Sequence, residues 1–211
     1  METTETTETT ETTDFTSLEI HPDACLALEP MRALFEWPGV RWDKTLALYT
    51  LARECVNPII ELGTYHGCGT IALALGSRDG NNAPVYTIDP FVSYIGWIGD
   101  HYDAEDLDVF EANISALNLT QDIILLRDSS ENVSRRWKEP YDFLFWDICG
   151  SRLITDYMDW HTHCAPGGHI AIKDLASWGF GLQRVLDHAL SNGFTCSFSH
   201  PKGAIWSLLK N

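Results

Sequence analysis

The sequence predicts an α/β fold: a doubly wound, mostly parallel sheet of seven strands that ends in an antiparallel hairpin. Short apolar runs alternate with segments of helical periodicity, as expected for repeated β/α units. The first run leads into a glycine-rich loop and then a second apolar segment. Two runs near the end of the chain are separated by a Pro-Lys-Gly turn, which is typical of a hairpin. Five β/α units and this hairpin account for the seven strands.

The first strand and its loop lie at residues 57–70, which read N-P-I-I-E-L-G-T-Y-H-G-C-G-T. A buried strand, a tight glycine turn and a helix start are the usual entry to a nucleotide site in an open α/β sheet. The glycines do not follow the dinucleotide pattern G-x-G-x-x-G, and no Lys-Ser/Thr pair marks a phosphate-binding loop. The pattern is instead E-x-G-x-x-x-G-x-G.

The remaining strands are predicted from later apolar runs, at residues 83–89, 123–126, 141–147, 169–174, 194–200 and 204–209. Run 141–147 is apolar on both faces, so we expect it in the centre of the sheet. Helices are predicted at 104–117, around 133–137 and at 153–161. A helical segment at 18–56 precedes the first strand. Asp43 is the candidate N-cap of its last helix, which is predicted to run through Leu46 to Val56.

Charge and composition divide the chain into a tail and a body. Residues 1–14 repeat Glu-Thr-Thr without an apolar side chain after Met1, so we expect a disordered tail. Residues 15–211 are expected to form one domain. The formal net charge is −16, and the five acidic residues of the tail leave −11 for the body. Such a body repels phosphate backbones, so nucleic acid is not expected as a substrate.

The sequence also predicts the compartment. No apolar run approaches the ~18 residues of a membrane span, and no secretory signal is recognisable. The six cysteines are scattered without a C-x-x-C pair, which is typical of reduced cytoplasmic thiols. His161, His163 and Cys164 form a short cluster of zinc-binding residue types. Helix positions two apart point about 200° apart, so the two imidazoles are not expected to share an ion.

From residue 43 to 210, the ordered set of features resembles the class I S-adenosylmethionine-dependent methyltransferases, which have a Rossmann-like fold. The branch it resembles most is the small-molecule O-methyltransferases. The glycine loop resembles their motif I, and the Pro-Gly-Gly turn at 166–168 precedes the fifth strand as it does in them. The resemblance implies S-adenosylmethionine as cofactor, bound by the motif residues Glu61, Gly63, Thr64, Tyr65, Gly67 and Gly69.

Three further cofactor contacts are implied by the resemblance. Asp89 closes the second strand, where a carboxylate can accept both ribose hydroxyls. Asp128 and Ser129 follow the third strand, in the places that contact adenine in the resembling family. Each of these positions also suits a helix cap, and one residue can serve both purposes.

On the acceptor side, the resemblance points to the ends of strands four and five, where Asp147 and Asp174 stand. Asp147 is the first candidate for base or positioning group, followed by Asp174, Lys173 and His101. Some relatives bind Mg²⁺ through acids in these places, so magnesium is a second cofactor to be tested. Here the segment after strand four reads D-I-C-G-S without the usual His, and Leu175 stands where an amide ligand is found.

The expected function is methyl transfer to a hydroxyl or amine of a small-molecule or glycan acceptor. One alternative is a binding module that kept the fold and lost catalysis. Another is an NAD-type oxidoreductase, which the glycine spacing disfavours. Residues 91–101 are aromatic and glycine-rich, and are either a lid, a wall of the acceptor pocket or a packed surface loop. The oligomeric state is not predicted.

Overall fold

The computed structural model describes residues 18–35, 42–95, 101–148, 152–173, 180–199 and 205–211. The expectations for the tail at 1–14 and for Asp174 and Leu175 concern residues outside these ranges. In the described part of the chain, no helix has the length and apolar character needed to cross a membrane.

Nine strands are present in the described residues. In chain order they are β1 (Ile59–Leu62), β2 (Val85–Ile88), β3 (Tyr94–Ile95), β4 (His101–Tyr102), β5 (Ile123–Leu126), β6 (Tyr141–Trp146), β7 (Cys164–Lys173), β8 (Phe194–Ser199) and β9 (Ile205–Lys210). Strands β3 and β4 form a small ribbon, and the other seven form one sheet in the order β5-β2-β1-β6-β7-β9-β8. The pairings of β9 with β7 and with β8 are antiparallel, and the other pairings in that sheet are parallel. The predicted fold class is confirmed.

Helices cover both faces of the sheet. Successive side chains of a strand point to opposite faces, so Ile59 and Ile60 of β1 belong to two different cores. The first core is covered by α1 (Ala24–Ala27), α2 (Trp42–Glu54), α3 (Cys68–Asp79) and α4 (Glu105–Ala116). The second is covered by α5 (Ser130–Arg136), α6 (Leu153–Trp160) and α7 (Phe180–Ser191). Two short 3-10 turns, Glu29–Ala33 and His161–His163, follow α1 and α6.

Some predicted boundaries differ from the structure. Strand β7 begins at Cys164, before the Pro-Gly-Gly turn, because Tyr141 pairs with Cys164 while Phe143 pairs with His169. The extra residues form a bulge that contains the turn. Helix α2 begins at Trp42, so Asp43 lies in its first turn rather than before it. The ribbon of β3 and β4 was not predicted.

The order of the strands places a ligand crevice between β1 and β6. The chain passes from β1 to β2 and β5 on one side and then continues with β6 on the other side. Open α/β sheets bind ligands at such a switch point, outside the carboxyl ends of the strands. The two strand ends are in close contact, since the backbone N–H of Asp147 donates to the carbonyl of Leu62 at 2.8 Å.

Helix α2 lies directly against α3. A Cβ atom on Gly76 of α3 would overlap the backbone of Tyr49 in α2, so this close approach requires glycine. The hydroxyl of Tyr49 donates to Asp79 Oδ2 at 2.8 Å, near the end of α3. Because α3 follows the glycine loop, these contacts hold α2 in a fixed position beside that loop.

Candidate functional site

The glycine loop forms a tight turn between β1 and α3. The backbone N–H of Gly67 donates to the carbonyl of Thr64 at 2.9 Å, and Gly67 has φ of +87°. A Cβ atom on Gly67 would lie 2.7 Å from Cδ2 of Phe110 in α4. Both the left-handed backbone and the contact with Phe110 therefore require glycine here.

Glu61 lies beneath this loop, with 1% of its surface exposed. Its Oε2 atom accepts hydrogen bonds from the hydroxyls of Thr70 in α3 and of Thr87 in β2, the latter at 2.9 Å. The Thr87 hydroxyl is in turn 2.5 Å from that of Thr64 in the loop. Burial raises the pKa of Glu61 to about 8, although the Thr70 and Thr87 hydrogen bonds act in the opposite direction. Glu61 thus joins two strands, the loop and α3.

Asp89 connects the end of β2 to the same loop. Its Oδ2 accepts from the backbone N–H groups of Thr64 at 2.9 Å and Tyr65 at 3.2 Å. Its Oδ1 accepts from the N–H of Phe91 at 2.9 Å. A carboxylate has about four acceptor positions, so three backbone bonds leave room for another donor. Asp89 fixes the loop and does not cap a helix.

Asp128 and Ser129 lie at the start of α5. The Ser129 hydroxyl oxygen accepts from the N–H of Asn132 at 3.2 Å, which confirms the predicted N-cap. Asp128 accepts from the Asn132 side chain and from Arg136, each at 2.8 Å. The Asn132 hydrogen bond, with that from Arg136, lowers the pKa of Asp128 to about 2. The contact of both residues with adenine stays a prediction.

Asp147 follows β6 and lies between two lysine side chains. Lys44, in the first turn of α2, has its Nζ 3.3 Å from Asp147 Oδ2. Lys173, at the end of β7, has its Nζ 2.6 Å from Oδ1. Lys44 is 8% exposed and its ammonium lies 5.5 Å from the centre of the Phe145 ring. A buried ammonium requires a nearby anion, and Asp147 supplies it.

Sequence reasoning missed Lys44. It shares the buried face of α2 with Ala47 and Leu48, three and four positions further on. A cation in the first turn of a helix also opposes the helix dipole. A lysine on the buried face of a helix and in its first turn is a sequence pattern that could have predicted a buried charge at this position.

The remaining acceptor-side candidates lie in different places. Asp174 is outside the described residues, although it directly follows Lys173 in the chain. His101 is exposed in β4. In the same ribbon, Tyr102 stacks on Tyr94 at 4.6 Å and meets the ring of Tyr65 edge-on at 5.1 Å. The ribbon therefore lies beside the glycine loop.

The described residues do not fit a divalent metal. Both oxygens of Asp147 contact ammonium groups, so Mg²⁺ on this carboxylate would face two positive charges at short range. Within the described ranges, no three His, Cys, Asp or Glu side chains come together as a metal site. The ring of His161 stacks on Tyr157 at 4.9 Å.

Comparison with known proteins agrees with this geometry. Residues 60–175 match the family described as "Methyltransferase domain", which is more than half of the chain, and the protein belongs to this family. The predicted resemblance to class I S-adenosylmethionine-dependent methyltransferases is thereby confirmed. No curated protein sequence matches the chain significantly.

Three solved structures illustrate the shared fold. The O-methyltransferase TomG from Streptomyces achromogenes, in complex with S-adenosylmethionine, is 14% identical with a TM-score of 0.62, covering 92% of each chain. The methyltransferase PaMTH1 from Podospora anserina, bound to S-adenosylhomocysteine, is 14% identical with a TM-score of 0.64, covering 92% of this chain and 90% of that one. An O-methyltransferase from Bacillus cereus, also with S-adenosylhomocysteine, is 19% identical with a TM-score of 0.58, covering 92% and 93%.

Proposed function

We propose that the protein transfers the methyl group of S-adenosylmethionine to a hydroxyl or amine of a small-molecule or glycan acceptor. The proposal is carried by the arrangement of two carboxylates around one loop. Asp89 and Asp147 follow the two strands that flank β1. The Asp89 carboxylate binds the loop after β1, and the backbone carbonyl of Asp147 lies close to Gly63 at the start of that loop. One side of the loop then faces the cofactor ribose, and the other faces the acceptor.

The described residues fit the cofactor. After binding three backbone N–H groups, Asp89 retains about one acceptor position, which suits one ribose hydroxyl. Helix α3 begins at Cys68, directly after the loop, and its N-terminus favours the carboxylate of the methionine part. Asp128 and Ser129 follow β5, the strand beside β2, which supports their assignment to the adenine.

The reaction needs alignment more than activation, because the sulfonium is already a good leaving group. A lone pair of the acceptor forms the new bond to the methyl carbon while the C–S bond pair returns to sulfur. The acceptor proton passes to a base, and Asp174, the residue after Lys173 in the sequence, is the candidate. Asp147 has both oxygens bound by lysines, so we assign it as a positioning group. Holding the reactants in line contributes about 7–11 kcal/mol at best.

Calorimetry with S-adenosylhomocysteine, and with NAD as the matched control, tests the cofactor assignment. We expect saturable binding of S-adenosylhomocysteine and none of NAD. Incubation with methyl-labelled S-adenosylmethionine and a metabolite extract should then give a labelled small molecule. Binding without any label transfer would indicate a binding module, and binding of NAD alone would indicate an oxidoreductase.

A further inference from the structure

We propose that Lys44, Asp147 and Lys173 form a relay of fixed charges that takes the place of a divalent metal in the acceptor site. Methyl transfer by this protein is then metal-independent, with Lys173 contacting the acceptor and Lys44 acting as a positioning residue. This inference rests on the proposed function, because it concerns the acceptor side of the same site.

The three side chains become more exposed from the core toward the sheet edge. The exposed fractions are 10% for the Lys44 side chain, 17% for Asp147 and 36% for Lys173. The Lys44 ammonium contacts Oδ2 of Asp147, and the Lys173 ammonium lies 2.6 Å from Oδ1. Lys173 is therefore the most exposed member of the relay, and its contact with Asp147 links its orientation to the two residues behind it.

Lys44 is itself fixed by the fold. It lies in α2, which contacts α3 closely at Gly76 and through the Tyr49–Asp79 hydrogen bond. Its ammonium also lies over the Phe145 ring of β6. A charge held in this way needs no reorganisation when the acceptor binds, which is the condition for strong electrostatic stabilisation.

The chemistry of the site supports two ammonium groups over a metal. Mg²⁺ requires a near-octahedral set of oxygen ligands. Both oxygens of Asp147 already contact ammonium groups, so this carboxylate is not available as a ligand. Two lysines and one aspartate carry a formal charge of +1, so the relay can stabilise negative charge on the acceptor oxygen without an ion.

Metal binding is tested directly with Mn²⁺ as a paramagnetic probe for Mg²⁺. Chelator-treated protein, saturated with S-adenosylhomocysteine, is titrated with Mn²⁺ and followed by electron paramagnetic resonance. We expect the spectrum of free Mn²⁺ at millimolar concentrations, and label transfer that is unchanged by chelator. Stoichiometric Mn²⁺ binding that Asp147→Asn abolishes would overturn the proposal. Since S-adenosylhomocysteine binding is measured separately, that result would leave the proposed function intact.

The role of the lysines is tested by comparing substitutions with a matched control. Lys173→Met, at the exposed end of the relay, should lower the rate of label transfer on the order of a hundredfold while leaving the affinity for S-adenosylhomocysteine unchanged. Lys44→Met should also lower the rate, and Lys44→Arg should restore part of it because the charge is kept. The exposed Lys138→Met is the control and should transfer at the wild-type rate. The proposal fails if Lys173→Met transfers like wild type, or if Lys44→Arg and Lys44→Met are equally impaired.

Discussion

Asp89 and Asp147 lie on the same sheet edge but contact different partners, so their substitution should separate binding from chemistry. Asp89→Ala removes the charged acceptor that we assign to the cofactor ribose, and a hydrogen bond to a charged group is worth about 1.5–3 kcal/mol. We expect roughly tenfold to hundredfold weaker binding of S-adenosylhomocysteine. Asp147→Asn should leave that affinity nearly unchanged and lower the rate of a single turnover. Calorimetry and rapid-quench kinetics measure the two effects.

The matched control for both substitutions is Asp108→Ala, because Asp108 is an exposed acid on α4. It should change neither quantity. If Asp147→Asn weakens cofactor binding as much as Asp89→Ala and spares the chemical step, Asp147 belongs to the cofactor site.

Glu61 should make stability depend on pH. The pKa of Glu61 is about 8 in the folded protein because of burial, against an ordinary value of 4.5. The folded state therefore keeps a proton that the unfolded chain releases, so the free energy of unfolding should fall as pH rises from about 5 to 8. The loss should be on the order of a few kcal/mol. Glu61→Gln removes the ionisation and keeps an acceptor for the two threonines.

Urea denaturation at several pH values compares wild type with Glu61→Gln. The variant should lack the decline that wild type shows over this pH range. Parallel curves for the two proteins would mean that Glu61 keeps an ordinary pKa when folded.

At the scale of single residues, chain position was enough to find the strand-end acids. Asp89 and Asp147 were predicted because parallel strands end at one edge of the sheet. Lys44 was not found because its partner, Asp147, is 103 residues away in the sequence. The role of Glu61 under the loop was also hidden, since it depends on hydroxyls from α3 and β2.

Among the elements, the contact between the glycine loop and α4 leads to a prediction for Gly67. Gly67→Ala places a side chain at positive φ, which costs about 1–2 kcal/mol, and brings a Cβ against Phe110. Gly193→Ala is the control, because Gly193 also has positive φ but has no atom within 4 Å of the added Cβ. Gly67→Ala should therefore lower the free energy of unfolding by more than Gly193→Ala.

The additional loss of stability in Gly67→Ala should become smaller when Phe110 is replaced by Leu, since the smaller side chain relieves the contact with the added Cβ. Denaturant titrations of the wild type, Gly67→Ala, Phe110→Leu and the double variant give the coupling energy. A zero coupling energy would show that backbone strain alone makes Gly67 necessary.

Elements were predicted well where one strong local pattern defined them. Strand β5 has the predicted bounds of 123–126 because it is a short apolar run between turn residues. The start of β7 was missed because the bulge depends on pairing with β6, which the local sequence does not specify. The ribbon of β3 and β4 is stabilised by ring contacts such as Tyr94–Tyr102, and two-residue strands carry no periodic signal.

For the whole molecule, the acidic tail should be dispensable. Residues 2–14 contain no apolar side chain, so they have nothing to bury against the domain. Deleting them should leave both the melting temperature and the affinity for S-adenosylhomocysteine unchanged. Differential scanning calorimetry and titration calorimetry measure these quantities. A clear fall in either would show that the tail docks on the domain.

The close contact of α2 with α3 sets a lower limit on the length of a fragment that can fold independently. A fragment cut to residues 60–175, the part that matches the family, would lack Tyr49 and so expose the groove that Gly76 leaves along α3. It would also remove Lys44 and leave Asp147 without its buried counterion. At the other end, β7 would lose its partner β9 and become an open sheet edge, which favours aggregation. The boundaries of sequence similarity are therefore not the boundaries of an independently folding unit.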